Sequence, residues 1–157
     1  MFKQYLLVFL VSMVPLVELR GSIIMAVGMD LDYWTALTVC VIGNMLPVPI
    51  IYLFARQVLH WGADKKYIGK FFRFCLEKGE KAGKKLPDTA GKGGLFVALM
   101  LFVGIPLPGT GAWTGTLAAS FLNMGLKTTA IAVSLGVIMA GIIMGIGSHT
   151  ALHVFGL

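Results

Sequence analysis

The chain has 157 residues, of which 57% are hydrophobic and 13% charged, a balance that excludes an ordinary soluble domain. Its formal charge of +6 looks like a nucleic-acid signal until it is located. Ten of the thirteen basic residues lie between Arg56 and Lys92, against four acids (Asp64, Glu77, Glu80, Asp88), so this segment holds the whole net excess. A basic loop in a membrane protein marks the cytoplasmic side.

The first hydrophobic block runs from Gln4 to Gly28 and is interrupted by Pro15 and by Glu18-Leu19-Arg20-Gly21. Lys3 before an apolar run imitates a signal peptide, but no small-x-small cleavage site follows and Glu18 and Arg20 break the pattern, so retention is expected. Ionisable groups within a hydrophobic segment cost roughly 2.5–3.5 kcal/mol each at a helix centre and persist where they pair, line water or bind something. Spaced at i and i+2, Glu18 and Arg20 do not face each other on a regular helix. Arg20 is a candidate anion contact and Glu18 a candidate proton carrier; the bland alternative is an ion pair that holds a hairpin tip.

The second block, Tyr33 to Ala55, carries no charge and is long enough to span a bilayer. Asn44 lies within it, placed either to bond a neighbouring helix or to line a path, and Pro47-Val48-Pro49 is expected to kink it. Asp64 to Leu86 reads as an amphipathic helix with Ile68, Phe71, Phe72, Cys75 and Leu76 on one face. Such a helix suits the inner membrane surface, or caps the underside of a bundle. Cys40 and Cys75 are poorly placed to pair and read as free thiols.

The third block, Gly93 to Leu126, is uncharged and too long for one span, since about 20 apolar residues cross a bilayer. It is broken near its middle by Ile105-Pro106-Leu107-Pro108-Gly109-Thr110-Gly111, because prolines remove amide donors and glycines loosen the backbone. Non-helical backbone at membrane depth persists only where protein buries it or water bathes it. The natural reading is two half-helices meeting at a loop inside the bilayer, as in many transporter sites. A half-helix beginning near Ala112 directs free amides toward that loop. Thr110, Thr114 and Thr116 add hydroxyls there, and Trp113 offers a ring. An anionic headgroup held between Arg20 and these amides is the expected arrangement.

The fourth block, Thr128 to Leu157, is uncharged and rich in small residues, with Gly141 and Gly145 spaced for close helix contact. His149 and His153 have i, i+4 spacing but make a poor metal site, and no metal or cofactor is expected. Nothing in the chain forms a nucleophile triad, a P-loop or a dinucleotide fingerprint, so neither an enzyme nor ATP coupling is expected.

The blocks repeat in order: a broken segment, then a clean span, twice. An offset of 93 residues aligns Pro15 with Pro108, Phe9 with Phe102, Thr35 with Thr128 and Gly43 with Gly136. The expected fold is all-α and integral to the membrane: one domain over 1–157, with a first repeat (1–56), a basic linker helix (57–92) and a second repeat (93–157). Each repeat is a re-entrant hairpin plus a transmembrane helix, and the two are inverted. Four complete crossings, with blocks 4–28 and 93–126 spanning, remain the alternative topology.

At Glu18-Leu19-Arg20-Gly21, and from Gly104 through Pro106, Pro108, Gly109, Thr110, Gly111, Trp113 and Thr114 to Gly115, the chain resembles the putative small multidrug export protein family. The likeness covers nearly the whole length, including Gly43-Asn44 with Pro47 and Pro49, although Ile24 stands where that family usually has a proline. More distantly the chain is similar to the DedA/VTT superfamily, whose facing re-entrant hairpins are implicated in lipid translocation. Only Glu18 and Arg20 carry over from it, since Thr110 and Gly111 stand where those proteins have an arginine after Pro-Gly.

The expectation is therefore a multi-pass protein of a bacterial or archaeal cell membrane. It moves an amphiphilic, anionic substrate such as a lipid phosphate, with protons coupled through Glu18. Membrane lipids, a small-molecule substrate and a second copy of the chain are the expected partners, and nucleic acid is not. A cationic-drug exporter and a non-transporting assembly factor are the rival readings.

Overall fold

The computed structural model describes residues 1–15, 17–63, 70, 73, 77, 90–107 and 110–155, without the side chains of 59, 62, 63, 90–92 and 148–155. All regular structure among them is helical: α1 Phe2–Ser12, α2 Glu18–Gly28, α3 Tyr33–Met45, α4 Val48–Ala63, α5 Ala90–Gly104, α6 Ala112–Phe121 and α7 Leu126–Phe155. Most of the expected amphipathic segment lies outside the described residues, as do Pro108 and Gly109. Lys70, Arg73 and Glu77 are helical and exposed.

The breaks fall where the sequence removes donors or demands an unusual backbone. Residues 13–17, around Pro15, separate α1 from α2, and Leu46-Pro47 divides α3 from α4. The bend is mild enough that Tyr33–Val58 still counts as one continuous apolar helix long enough to cross a membrane; Leu126–Gly147 is the second such helix. At 1.5 Å per residue, α1, α2 and α6 reach only about 15–17 Å, half of the roughly 30 Å hydrocarbon thickness. Large apolar side chains face outward along the bundle, among them Ile50, Phe54, Trp34 and Ile146, each more than 60% exposed. An apolar exterior of this kind fits a membrane location, where lipid replaces water.

Local structure repeats at the 93-residue offset that the sequence shows. Offset by that amount, α2 projects onto 111–121, where α6 occupies 112–121, and the start of α3 projects onto Leu126, the start of α7. Asp30 and Asn123, equivalent under this offset, both adopt the left-handed conformation just past α2 and α6, with φ of 52° and 55°; Asp and Asn tolerate it because their short side chains bond locally. Gly43 and Gly136, also equivalent, do the same packing work. A Cβ on Gly43 would stand 2.7 Å from the Phe9 carbonyl oxygen of α1, and one on Gly136 would stand 2.7 Å from the Met100 carbonyl oxygen of α5. Each glycine thus lets a long helix lie directly against a neighbouring helix, α3 on α1 and α7 on α5.

Between the halves, α7 packs on α2 and α3 while α4 packs on α6. Gly141 and Gly145 admit Leu37 and Tyr33 of α3, and the Tyr33 hydroxyl donates to the Gly141 carbonyl at 2.7 Å. Ser120 of α6 donates to the Tyr52 carbonyl at 3.1 Å, and the Tyr52 hydroxyl accepts from the Gly125 amide at 3.0 Å. The core they enclose is built of small and branched residues, including Ile23, Ala36, Val103, Ala119 and Val133. Outside it, Asp32 caps α3 by accepting from the Thr35 amide at 2.9 Å and its hydroxyl at 2.7 Å. These two bonds hold its carboxyl below the usual aspartate range.

Gly136→Val should lower the thermal unfolding midpoint in detergent, by the equivalent of about 1–3 kcal/mol of overpacking. Gly147→Val, at a position open on all sides, should leave it nearly unchanged. Asp32→Ala should lower the midpoint at neutral pH. Because folding depresses this carboxyl, its contribution is present above the unfolded value of about 3.9 and is lost as pH falls through the lower folded one. The difference between wild type and Asp32→Ala should therefore shrink in strong acid.

Candidate functional site

The loop between α5 and α6 leaves two sets of backbone groups without helical partners: carbonyls at the end of α5 and amides at the start of α6. The loop turns on its own bonds in part, with the Leu107 amide donating to Ile105 and the Thr110 amide to Leu107. The Thr110 hydroxyl lies 2.9 Å from each of the Ile105 and Leu107 carbonyl oxygens. The rest is completed by α2. Arg20 donates to the carbonyls of Leu107, of Ile105 at 3.2 Å and of Val103 at 3.4 Å, and to the Thr110 hydroxyl at 2.7 Å. The Glu18 carboxylate accepts from the amides of Ala112 at 3.2 Å and Trp113 at 3.0 Å. A cation thus sits at the negative end of α5 and an anion at the positive end of α6.

The i, i+2 spacing now has a physical meaning. Two residues apart on a helix, the side chains diverge, and here they diverge toward the two ends of one helix break. Their hydrogen-bond partners differ, carbonyls for Arg20 and amides for Glu18, while the two charges still attract each other across the tip. Glu18 is positioned by an uncommon backbone, φ 49°, at the first residue of α2; such a conformation costs a non-glycine residue about 1–3 kcal/mol and persists when its surroundings over-determine it. Ser22, one turn on, bonds back to the Glu18 carbonyl at 2.9 Å and stands 3.2 Å from the Cys40 sulfur. Opposite the carboxylate, Gly111 has φ 156° and ψ −173°, a region almost confined to glycine. A Cβ there would overlap the Glu18 carboxylate oxygens. Gly111 stands 93 residues after Glu18, so two positions related by that offset meet.

Eight of the ten residues singled out in the sequence come together here, and the other two, Pro108 and Gly109, lie outside the described residues. Glu18, Arg20, Pro106, Thr110, Trp113 and Thr114 line a cavity of about 400 Å³. Asn44 and Gly111 line a much smaller one, about 10 Å³, which Glu18 and Arg20 also line. One expectation needs correction: the amides of α6 are not free to face a ligand, because the Glu18 carboxylate occupies them. Thr116 likewise turns away from the loop and is fully buried with its hydroxyl unpartnered among the described residues. The sequence reading missed Leu107, Leu117 and Met144, which supply apolar wall to the large cavity. Leu117 could have been found, since it lies three and four residues from Thr114 and Trp113 on one helical face. Met144 could not, because only packing brings α7 there. The side chains of His149 and His153 lie outside the described part.

Residues 18–143 match the family model described as "Putative small multi-drug export protein". The chain belongs to this family. No curated protein and no solved structure matches it. The family's description is that of a small membrane export protein, in keeping with the two apolar helices long enough to span and with the apolar exterior. The matched region begins at Glu18 and contains both partners of the charged contact, α2 and the α5–α6 break.

Gly111→Ala should displace the Glu18 carboxylate and lower stability by about 2 kcal/mol or more, combining backbone strain and overlap. In a Glu18→Ala background the same substitution should cost markedly less. Unfolding midpoints of the two single variants and the double variant give this coupling directly.

Proposed function

We propose that this protein is a small translocase that moves an amphiphilic, anionic molecule of the lipid-phosphate class across the cell membrane, with proton coupling through Glu18. The observation that carries this reading is the seating of a carboxylate on the Ala112 and Trp113 amides at the start of α6, beside the Arg20 guanidinium. A helix end that holds one carboxylate has the donors and the dipole to hold another anion. The adjoining cavity joins polar groups (Arg20, Thr110) to apolar wall (Leu107, Leu117, Met144), which suits a charged headgroup with a hydrocarbon body. A cationic-drug exporter needs a carboxylate turned to its cargo, and here both carboxylate oxygens are engaged by backbone amides.

The helix lengths support the membrane arrangement within this proposal. The pairs α1–α2 and α5–α6 are re-entrant hairpins whose tips meet near the midplane, and α3–α4 and α7 are the crossings. Placing the basic segment 57–92 in the cytoplasm puts Asp30 and Asp32 on the outer face and makes the repeats inverted. A pair of such units in a homodimer would enclose the site more fully.

Wild-type protein in liposomes should translocate a fluorescent lipid phosphate, faster with a pH gradient, with a loss of at least tenfold in Glu18→Gln and in Arg20→Ala. Transport of a lipophilic cation that is lost in Glu18→Gln and gained in Arg20→Ala would instead establish cation export.

A further inference from the structure

Protonation weakens the seating of Glu18. The two amides that hold it are donors only, so a neutral carboxyl keeps a weakened acceptor role there and brings an O–H with no acceptor. Burying that hydrogen without a partner is costly. The Gly111 carbonyl already accepts from the Gly115 amide at 2.8 Å and the Thr114 hydroxyl at 3.4 Å. An acceptor without a donor stands close by. Asn44 is 2% exposed, and its Oδ1 has no hydrogen-bond partner among the described residues. It lines the same cavity of about 10 Å³ as Glu18, Gly111 and Ala112, room for a single water at most.

We infer that Asn44 is the second seat of the Glu18 side chain: on protonation the carboxyl leaves the amides of Ala112 and Trp113 and donates to Asn44 Oδ1, which exposes those amides to the anionic headgroup beside Arg20. Glu18 is then a tethered competitor for the substrate's own site. Taking up one proton vacates the donors that one anion needs, and losing it restores the carboxylate and expels the anion. This rests on the carrier reading above and supplies its coupling step.

Glu18 and Arg20 are the ionisable groups among the residues that line the two cavities. Arg20, on its own helix, is the charged neighbour. The Cys40 thiol of α3 is engaged by Ser22, and the Tyr33 hydroxyl is committed to Gly141. The parts of α6, α7 and the α5–α6 loop that line the two cavities present Trp113, Thr114, Val137, Ala140, Met144 and Thr110, none of which changes charge.

The test needs no substrate. Of the three tryptophans, Trp34 and Trp61 are replaced by Phe, and Trp113 emission is followed from pH 4 to 9 in nanodiscs of zwitterionic lipid. A single transition is expected, absent in Glu18→Gln and moved to lower pH by about 0.5–1 unit in Asn44→Leu and Asn44→Ala, because the protonated form loses its acceptor. In parallel, infrared difference spectra of otherwise wild-type protein with side-chain-labelled asparagine should show the Asn44 carbonyl band shifting in step with the neutral carboxyl band that Glu18→Gln removes. Asn123, the second asparagine, sits at an exposed turn. An unlabelled-like, pH-independent asparagine band overturns the inference even if the Asn44 variants fail to fold. So does a midpoint unmoved in those variants, or no transition in the wild type. A titration that follows the expectation without lipid-phosphate transport keeps the switch and removes that substrate class; transport with a static Asn44 does the reverse.

Discussion

The arrangement of this protein depends on one electrostatic match: a broken helix exposes carbonyls on one side of its loop and amides on the other, and α2 supplies a cation and an anion to fit them. Charged hydrogen bonds contribute about 1.5–3 kcal/mol each, so the contacts of Arg20 and Glu18 offset the roughly 2.5–3.5 kcal/mol that each ionisable group costs in an apolar span. The dependence is mutual. Without α2, the break between α5 and α6 would bury unpaired backbone groups, and without the break, Glu18 and Arg20 would be charges with nowhere to go.

That match ties the two halves of the chain together at their most polar point, and everything around it serves close approach. Gly43 lets α3 lie on α1, and Gly136 lets α7 lie on α5. Gly141 and Gly145 let α7 reach α3, and Gly111 leaves the space that the carboxylate fills. In a bilayer there is little hydrophobic gain from joining helices, so contacts of this kind and a few interhelical hydrogen bonds carry the association. The bonds of Tyr33 to Gly141 and of Tyr52 to Gly125 are placed accordingly at helix crossings.

The same match makes the site able to change. Backbone donors at a helix end do not discriminate between a side-chain carboxylate and a ligand's anion. In the proposed carrier, protonation of Glu18 is what would open the tip. The strained backbone of Glu18 and the glycine-only conformation of Gly111 are both spent on holding the closed arrangement.

Much of this was legible in the chain itself. Pro15, Pro47, Pro106 and the glycines near 110 mark the breaks because proline lacks a donor and glycine tolerates unusual backbone, and these are local properties. The charge of the 57–92 segment is likewise a matter of order along the chain. Glu18 and Arg20 stood out because charge in an apolar segment is costly wherever it lies. What residue order could not convey was pairing. Whether two ions two residues apart meet each other, a ligand or a backbone depends on which helix ends approach them. That was decided by α2 packing across the α5–α6 break, which filled the amides of Ala112 and Trp113 with Glu18.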